Sequence, residues 1–431
     1  MSGPAAAAAR TWDAWLAAQP LDDLAAWHAD TRALVAGYGR RDDAHLVPLR
    51  LPIVDHDRYE ELATVSSRLV ALTATALQMH GDPEALFAEM GLPDVVRRSF
   101  GSHATAFDLA RAFARVDLVV SGGAPYVLEL NVDSGIGGLV EGCLLPEHYL
   151  DGPGRPAGLY ADAPLAAVAD LLTALAAEAG LGPRPTVAVL EWDYDVALQH
   201  AYAARLARYG LPAAYVHADT LEERDGVLWT GDRRIDIALK NFSMGSLDFP
   251  DRLEPLVAAR TQGRSLVVAD ARSVLASNKR LLAILSERAT ELAPADRALV
   301  ERYVPWTREV TPALAGVLAR REGLVLKRAS GEGGHHVVIG ARCTTEQWEA
   351  AVAEAFTGPD FIVQAYKPAD REALPFLDGD RVVQRAHPYV LGQFVIDGRG
   401  AGLLYRFDPH DQDGVINYMR GAGLVTALVA R

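Results

Sequence analysis

Arg115-Val116-Asp117-Leu118-Val119-Val120 and Tyr126-Val127-Leu128-Glu129-Leu130-Asn131 are two β-prone runs on either side of Gly122-Gly123, and they decide the fold. Valine and leucine frame the polar residues in each run, and the glycine pair signals a hairpin turn. Side chains alternate across a strand, so Arg115 and Asp117 share a face, as do Glu129 and Asn131. A three-residue loop, Gly122-Gly123-Ala124, pairs Ser121 with Pro125, where proline cannot donate to the ladder. Counting back from that pair sets Asp117 opposite Glu129 and Arg115 opposite Asn131. A two-residue loop slips the register by one and separates the four polar groups. A surface hairpin with scattered polar residues would show the same residue types. The flanking Val and Leu argue instead for burial, and buried charges need partners. Two facing carboxylates repel; Mg²⁺ held by carboxylate and amide oxygens would offset that. An arginine in the cluster suits a phosphate or a substrate carboxylate.

Composition bounds the rest. A chain of 431 residues can build two or three domains with sizeable cores. The net charge of -14 argues against nucleic acid as a partner, but not against a nucleotide, whose site is local and carries its own cation. Two cysteines far apart, Cys143 and Cys343, form no disulfide framework and fit a reducing cytoplasm. Cys143 has no histidine at a signature spacing and reads as a small core residue. No run of about eighteen apolar residues is present, so no membrane span is expected. The alanine-rich start lacks the features of a signal peptide and reads as a disordered tail.

Helical periodicity covers 57–80, with Leu62, Val65, Leu69, Leu72 and Leu77 on one face. Residues 103–114 predict a short helix leading into the first strand, and 163–179 predict a helix ended by Gly180. Strand 186–191, helix 195–209 capped by Gly210, strand 213–216 and strand 235–240 then form a parallel βαβ pattern. It lacks the glycine turn of a dinucleotide site. Glu191, Asp193 and Asp195 cluster at a strand end; helix capping is the preferred reading for them.

In the last third, strand 323–328 carries Lys327, Ala329-Ser330-Gly331-Glu332-Gly333-Gly334 is a glycine-rich loop, and 335–340 is the returning strand. Glycines let backbone amides approach phosphates closely. No Gly-Lys-Ser/Thr follows, so this is no Walker A loop, and a plain hairpin with a glycine turn reads the same way. His335 and His336 would alternate faces there, one in the core and one outside. Asp360 to Pro368 is an apolar strand breaking into a turn, either an adenine-bonding edge or a core strand. Strands 391–396 and 401–407 follow, with Arg406 and Asn417.

These segments resemble the ATP-grasp superfamily, whose members place a lysine strand, a glycine loop and an adenine hinge before a Glu-x-Asn metal strand. Here the order is reversed. That resembles the circularly permuted members, and among them the glutathionylspermidine synthase-like carboxylate-amine ligases, from about residue 100 to 431. The resemblance implies an α/β (α+β) chain: an ATP-grasp fold in circularly permuted order, a Rossmann-like preATP-grasp layer and a helical N-terminal region. The implied divisions are 1–100 helical, 101–183 the first ATP-grasp part with the hairpin, 184–275 the Rossmann-like layer, and 276–431 the ATP-binding part.

It further implies Asp117, Glu129 and Asn131 as Mg²⁺ ligands. Arg115 and Arg406 would be catalytic, and Ser134 and Asn417 would support the substrate. Lys279 and Lys327 would contact ATP phosphates under a lid of Gly331, Gly333 and Gly334, with Gln364 and Tyr366 flanking adenine. Lys279, in a helical stretch, reads equally as a solvated surface lysine, and Arg406 similarly. The implied reaction joins a small-molecule carboxylate to an amine through an acyl phosphate, with ADP released. Acceptors left open are a carrier-protein thiol or a peptide end, and a non-catalytic nucleotide-binding role is also open. No counterpart of the N-terminal amidase domain of some relatives is expected in this sequence, and Gly135-Ile136-Gly137-Gly138 stands where relatives often carry more hydroxyls or Thr-Pro, so glutathione and spermidine are not assumed.

Overall fold

The computed structural model describes residues 3–81, 86–88, 113–133, 135–192, 194–242, 250–268, 273–331, 333–358, 360–411 and 414–431. At its centre is a six-stranded antiparallel sheet. The hairpin Phe113–Ser121/Ala124–Val132 forms one side, and Phe113–Ser121 pairs with the long strand Arg381–Ile396. Arg399–Phe407 and Gly423–Thr426 continue outward, and Arg371–Asp378 pairs with the first half of the long strand. Strands nearly 300 residues apart in the chain are therefore hydrogen-bonded neighbours.

The helix His56–His80 packs on this sheet, as its periodicity predicts. Leu62, Leu69 and Leu72 are buried along one face. Each such side chain contributes roughly 1.5–3 kcal/mol when removed from water. Gly81, at φ 92°, ends the helix where a side chain would be strained.

The alanine-rich start is a helix, Pro4–Ala17, not a tail. Alanine is the best helix former, and proline suits the first turn. Trp12 and Leu16 are buried, and Trp12 meets Tyr149 edge to face at 6.4 Å. Two apolar anchors one turn apart give the alanines a surface to lie on.

The parallel layer has the strand order Leu266–Val268, Ile237–Lys240, Val187–Glu191, Ala213–His217, with helix Val196–Arg208 joining the last two. The expected strand over 235–240 divides in two. The Asp236 carboxylate accepts from the N–H and hydroxyl of Thr186, and Arg233–Ile235 joins a separate small antiparallel sheet. Capping by the acidic cluster is not what the structure shows. Asp195 stands before helix Val196–Arg208 without bonding its N–H groups and pairs instead with Arg40 at 2.6 Å. Glu191 accepts from the Trp192 N–H, while burial pushes its carboxyl up to about 7; Asp193 lies outside the described residues.

A second antiparallel sheet has the order Thr307–Glu309, Phe361–Ala365, Leu324–Arg328, Val337–Ile339. The returning strand starts at Val337, so His335 and His336 sit in the turn and both are exposed. His336 has φ 55°, which rules out strand geometry there. Of the helix predicted over 103–114, residues 103–112 lie outside the described residues, and Phe113 and Ala114 are strand. Cys143 is buried and accepts from the Leu165 N–H, as a core residue would. Among the described residues no helix is long and apolar enough to cross a membrane.

Candidate functional site

The hairpin turn has two residues, with Ser121 opposite Ala124. Gly122 and Gly123 take φ 58° and 79°, the left-handed pair that a tight hairpin turn needs. That turn starts the slipped register. The pairing nevertheless shifts between Leu118–Val127 and Asp117–Glu129, leaving Leu128 as an extra residue. This β-bulge restores the phase. Asp117 lies opposite Glu129 and Arg115 opposite Asn131, by a route the sequence reading did not contain. The bulge also presents the Leu128 carbonyl to Lys327, whose ammonium donates to it at 3.0 Å.

Asp117 is 1% exposed. Arg115 grips its two oxygens at 2.7 and 3.1 Å, Arg406 donates to Oδ2 at 2.7 Å, and the Asn131 amide donates to the same oxygen at 3.1 Å. Burial alone would raise the Asp117 carboxyl; the two guanidiniums outweigh it and hold the group well below the usual carboxylate range. Glu129 pairs with Lys279 at 3.2 Å, and Lys279 donates to the Gly331 carbonyl at 2.6 Å. Lys279 and Arg406 are both buried, so neither is a solvated surface cation.

Lys327 also donates to Gln364 Oε1 at 2.7 Å. Burial pushes its ammonium down to about 8, against the pull of Glu129 toward the charged form. The Gln364 amide also donates to Thr307 and to the Val127 carbonyl. Its side chain thus holds Lys327, and both Gln364 and Tyr366 line the open space beyond.

Between the two sheets lies a cavity of about 220 Å³ bounded by Asp117, Glu129, Lys279, Lys327, Tyr366 and Arg406. Gly331, Gly334 and Asn417 also reach it. Its lining carries seven Lys or Arg side chains against three Asp or Glu. In a chain of net charge -14 this is a locally inverted field, suited to a polyanion. Gly333 faces a neighbouring cavity of about 270 Å³, shared with Arg115, Arg406, Asn417, Tyr194 and Met419. Arg406 and Asn417 line both cavities. Ser134 lies outside the described residues.

Among the described residues no group of three His, Cys, Asp or Glu is arranged to hold a metal ion. Asp117 is saturated by arginines. Glu129 faces the phosphate-sized cavity with one lysine partner, and Asn131 shares its strand face. One or two protein oxygens beside phosphates are what Mg²⁺ usually takes from a protein, so this set fits that ion when a nucleotide completes it.

Sequence reasoning missed Gly392. A Cβ there would lie 2.8 Å from Arg115 Cδ and 3.2 Å from Asp117 Oδ1. The signal was a glycine inside the apolar run Val390-Leu391-Gly392-Gln393-Phe394, which marks a close approach. Gly392→Ala should displace the Arg115–Asp117 pair, costing about 1–3 kcal/mol by overpacking, with a larger fractional loss of activity; a urea melt and a turnover assay read the two effects. Arg40, Tyr194 and Tyr418 were missed as well, coming from segments without a readable pattern.

No family model matches the chain, and no curated protein matches it by sequence. Among solved structures, a glutathione synthetase-like effector from Globodera pallida superposes with a TM-score of 0.61 at 10% identity, covering 95% of this chain and 97% of that one. D-alanyl-alanine synthetase A from Vibrio cholerae aligns over 48% of this chain and 67% of its own, at 14% identity and a TM-score of only 0.28. The chain therefore shares its overall fold with that effector along nearly its whole length.

Proposed function

We propose that this chain is an ATP- and Mg²⁺-dependent carboxylate-amine ligase of circularly permuted ATP-grasp type, with the four-part division set out above. One observation carries the reading. The acidic hairpin face and the Lys327 sheet close on one cation-rich cavity, with the glycine loop at its edge. Lys279 and Lys327 bind the ATP phosphates, and Gly331, Gly333 and Gly334 close over them. Tyr366 borders the adenine, and Gln364 holds Lys327 in place. Glu129 and Asn131, backed by Asp117, hold Mg²⁺, which supplies charge neutralisation on the phosphates. Arg115 and Arg406, fixed by Asp117, sit where the substrate carboxylate meets the γ-phosphate, and Asn417 lines the junction.

A carboxylate oxygen attacks the γ-phosphorus and ADP leaves with its electron pair. The amine nitrogen then attacks the acyl carbon; inorganic phosphate leaves, and the nitrogen loses a proton. Positioning and fixed charge supply most of the acceleration. The loop excludes water from the acyl phosphate.

The test is ADP and phosphate release with Mg-ATP against paired acids and amines. Release that needs one acid and one amine establishes the ligase. Tight nucleotide binding with no release under any pair moves the chain to a non-catalytic role. Lys327 adds a pH signature. Bound phosphate favours the ammonium, so the complex binds more protons than the free site above a pKa of about 8. Nucleotide affinity should therefore fall as pH rises past that value, by up to about tenfold per unit. Calorimetry with a non-hydrolysable ATP analogue between pH 7 and 9.5 reads this, and a flat profile would contradict it.

A further inference from the structure

We propose that the second cavity takes the acid substrate, and that this acid is a monocarboxylate with an apolar or aromatic body, of amino-acid to dipeptide size. The inference rests on the ligase reading and names the substrate class of that site.

The location comes first. Arg406 and Asn417 line both cavities, so a carboxylate at Arg406 and Arg115 stands next to the nucleotide phosphates. Arg406 is 5% exposed, and its Nε has no hydrogen-bond partner among the described residues. A buried donor without a partner is costly, and an incoming carboxylate oxygen would satisfy it.

The character of the body follows from the charges in the lining. Glu141 is the acidic residue in the lining, and it is 1% exposed and paired with Arg40 at 2.5 Å. Arg40 also holds Asp195 at 2.6 Å and stands 5.0 Å from the Tyr418 ring centre. A second carboxylate on the substrate would meet the Glu141 carboxylate, whose Oε2 has no hydrogen-bond partner among the described residues, and be repelled by it. The Gln199 and Asn241 amides bond each other at 2.5 Å, leaving neutral polar edges suited to an amide or ester.

The rim points the same way. Five large apolar side chains are exposed among the described residues: Leu21, Tyr194, Val196, Phe356 and Met419. Two of them, Tyr194 and Met419, line this cavity and touch across it, with Tyr194 Oη 3.6 Å from Met419 Sδ. Paired exposed apolar groups at a cavity mouth mark a ligand surface. The volume of about 270 Å³ lies just below the range for drug-sized ligands, which sets the size class.

Hydroxylamine serves as a surrogate amine, trapping the acyl phosphate as a hydroxamate. The full chain with Mg-ATP is offered N-acetylphenylalanine, N-acetylleucine, benzoate, glutamate, lysine and a γ-glutamyl dipeptide, and ADP and hydroxamate are measured. The expected result is at least about tenfold higher kcat/KM for the apolar and aromatic acids. Tyr194→Ala should raise KM for the acid about tenfold, with KM for ATP within about twofold. Preference for the charged acids, or an acid KM unmoved by both Tyr194→Ala and Met419→Ala, overturns the substrate class and leaves the ligase standing. If no acid elicits ADP release although the nucleotide binds, the ligase reading falls and takes this inference with it.

Discussion

Replacing Glu129 with glutamine is expected to lower ADP release by about a hundredfold or more while leaving the fold intact. Loss of a single fixed group stabilising charge in a transition state costs about a hundred- to a thousandfold, and here the lost charge would also weaken Mg²⁺. Glu129 is the carboxylate that faces the cavity without an arginine on it. Glutamine preserves its size and can still accept from Lys279, so the packing of the hairpin persists. Nucleotide binding without Mg²⁺ should change little, because the lysines remain; with Mg²⁺ the variant should lose the gain that the wild type shows. Titrating both proteins with and without the ion separates these effects. Near-normal turnover in the variant would remove Glu129 from the site.

The second large effect is on stability. Asp117→Ala leaves the Arg115 and Arg406 guanidiniums facing each other in a buried space, each stripped of its main anion. Removing one partner of a buried ion pair costs about 3–5 kcal/mol. Adding Arg406→Met to that variant should recover part of the loss, since it removes a stranded charge and a repulsion together. Urea melts of the wild type, both single variants and the double variant give the coupling directly. A loss below about 1 kcal/mol in Asp117→Ala would mean that the arginines find other partners, and the low carboxyl pKa would then have another cause.

Much of the core site was legible because charged residues inside apolar strands can be explained in few ways. Asp117 opposite Glu129 follows from alternation and turn chemistry, whereas the meeting of Lys327 and the glycine loop with that hairpin was implied only by the resemblance. The register itself was right for a wrong reason. A bulge at Leu128 cancelled the shift set by the two-residue turn, and a bulge leaves no mark in a run of strand formers. The N-terminal alanines were misjudged because tail and helix have similar local composition; Trp12 and Leu16, one turn apart, were the overlooked anchors. The second cavity could not be read in advance. Arg40, Tyr194 and Tyr418 come from three distant segments, and only tertiary packing brings them to one mouth. Gln364 lines the cavity and also accepts from Lys327; alternation gives a side chain's face but not which group it meets there, so that contact was not read in advance.

The central sheet also has a consequence for synthesis. Among the described residues Phe113–Ser121 pairs on the side away from the hairpin with Arg381–Ile396, and Ile53–Asp55 pairs with Leu428–Ala430 on the far end of the chain. On a ribosome adding roughly 5–20 residues per second, the earlier strands emerge some tens of seconds before their partners exist. During that interval the Phe113–Ser121 edge of the hairpin is unpaired, and helix His56–His80 has no finished sheet to cover. Such long-range closure slows folding and exposes a sticky strand edge to other nascent chains. The charged residues on the hairpin face, already explained by chemistry, would then serve a second purpose by keeping that waiting strand pair from joining its neighbours.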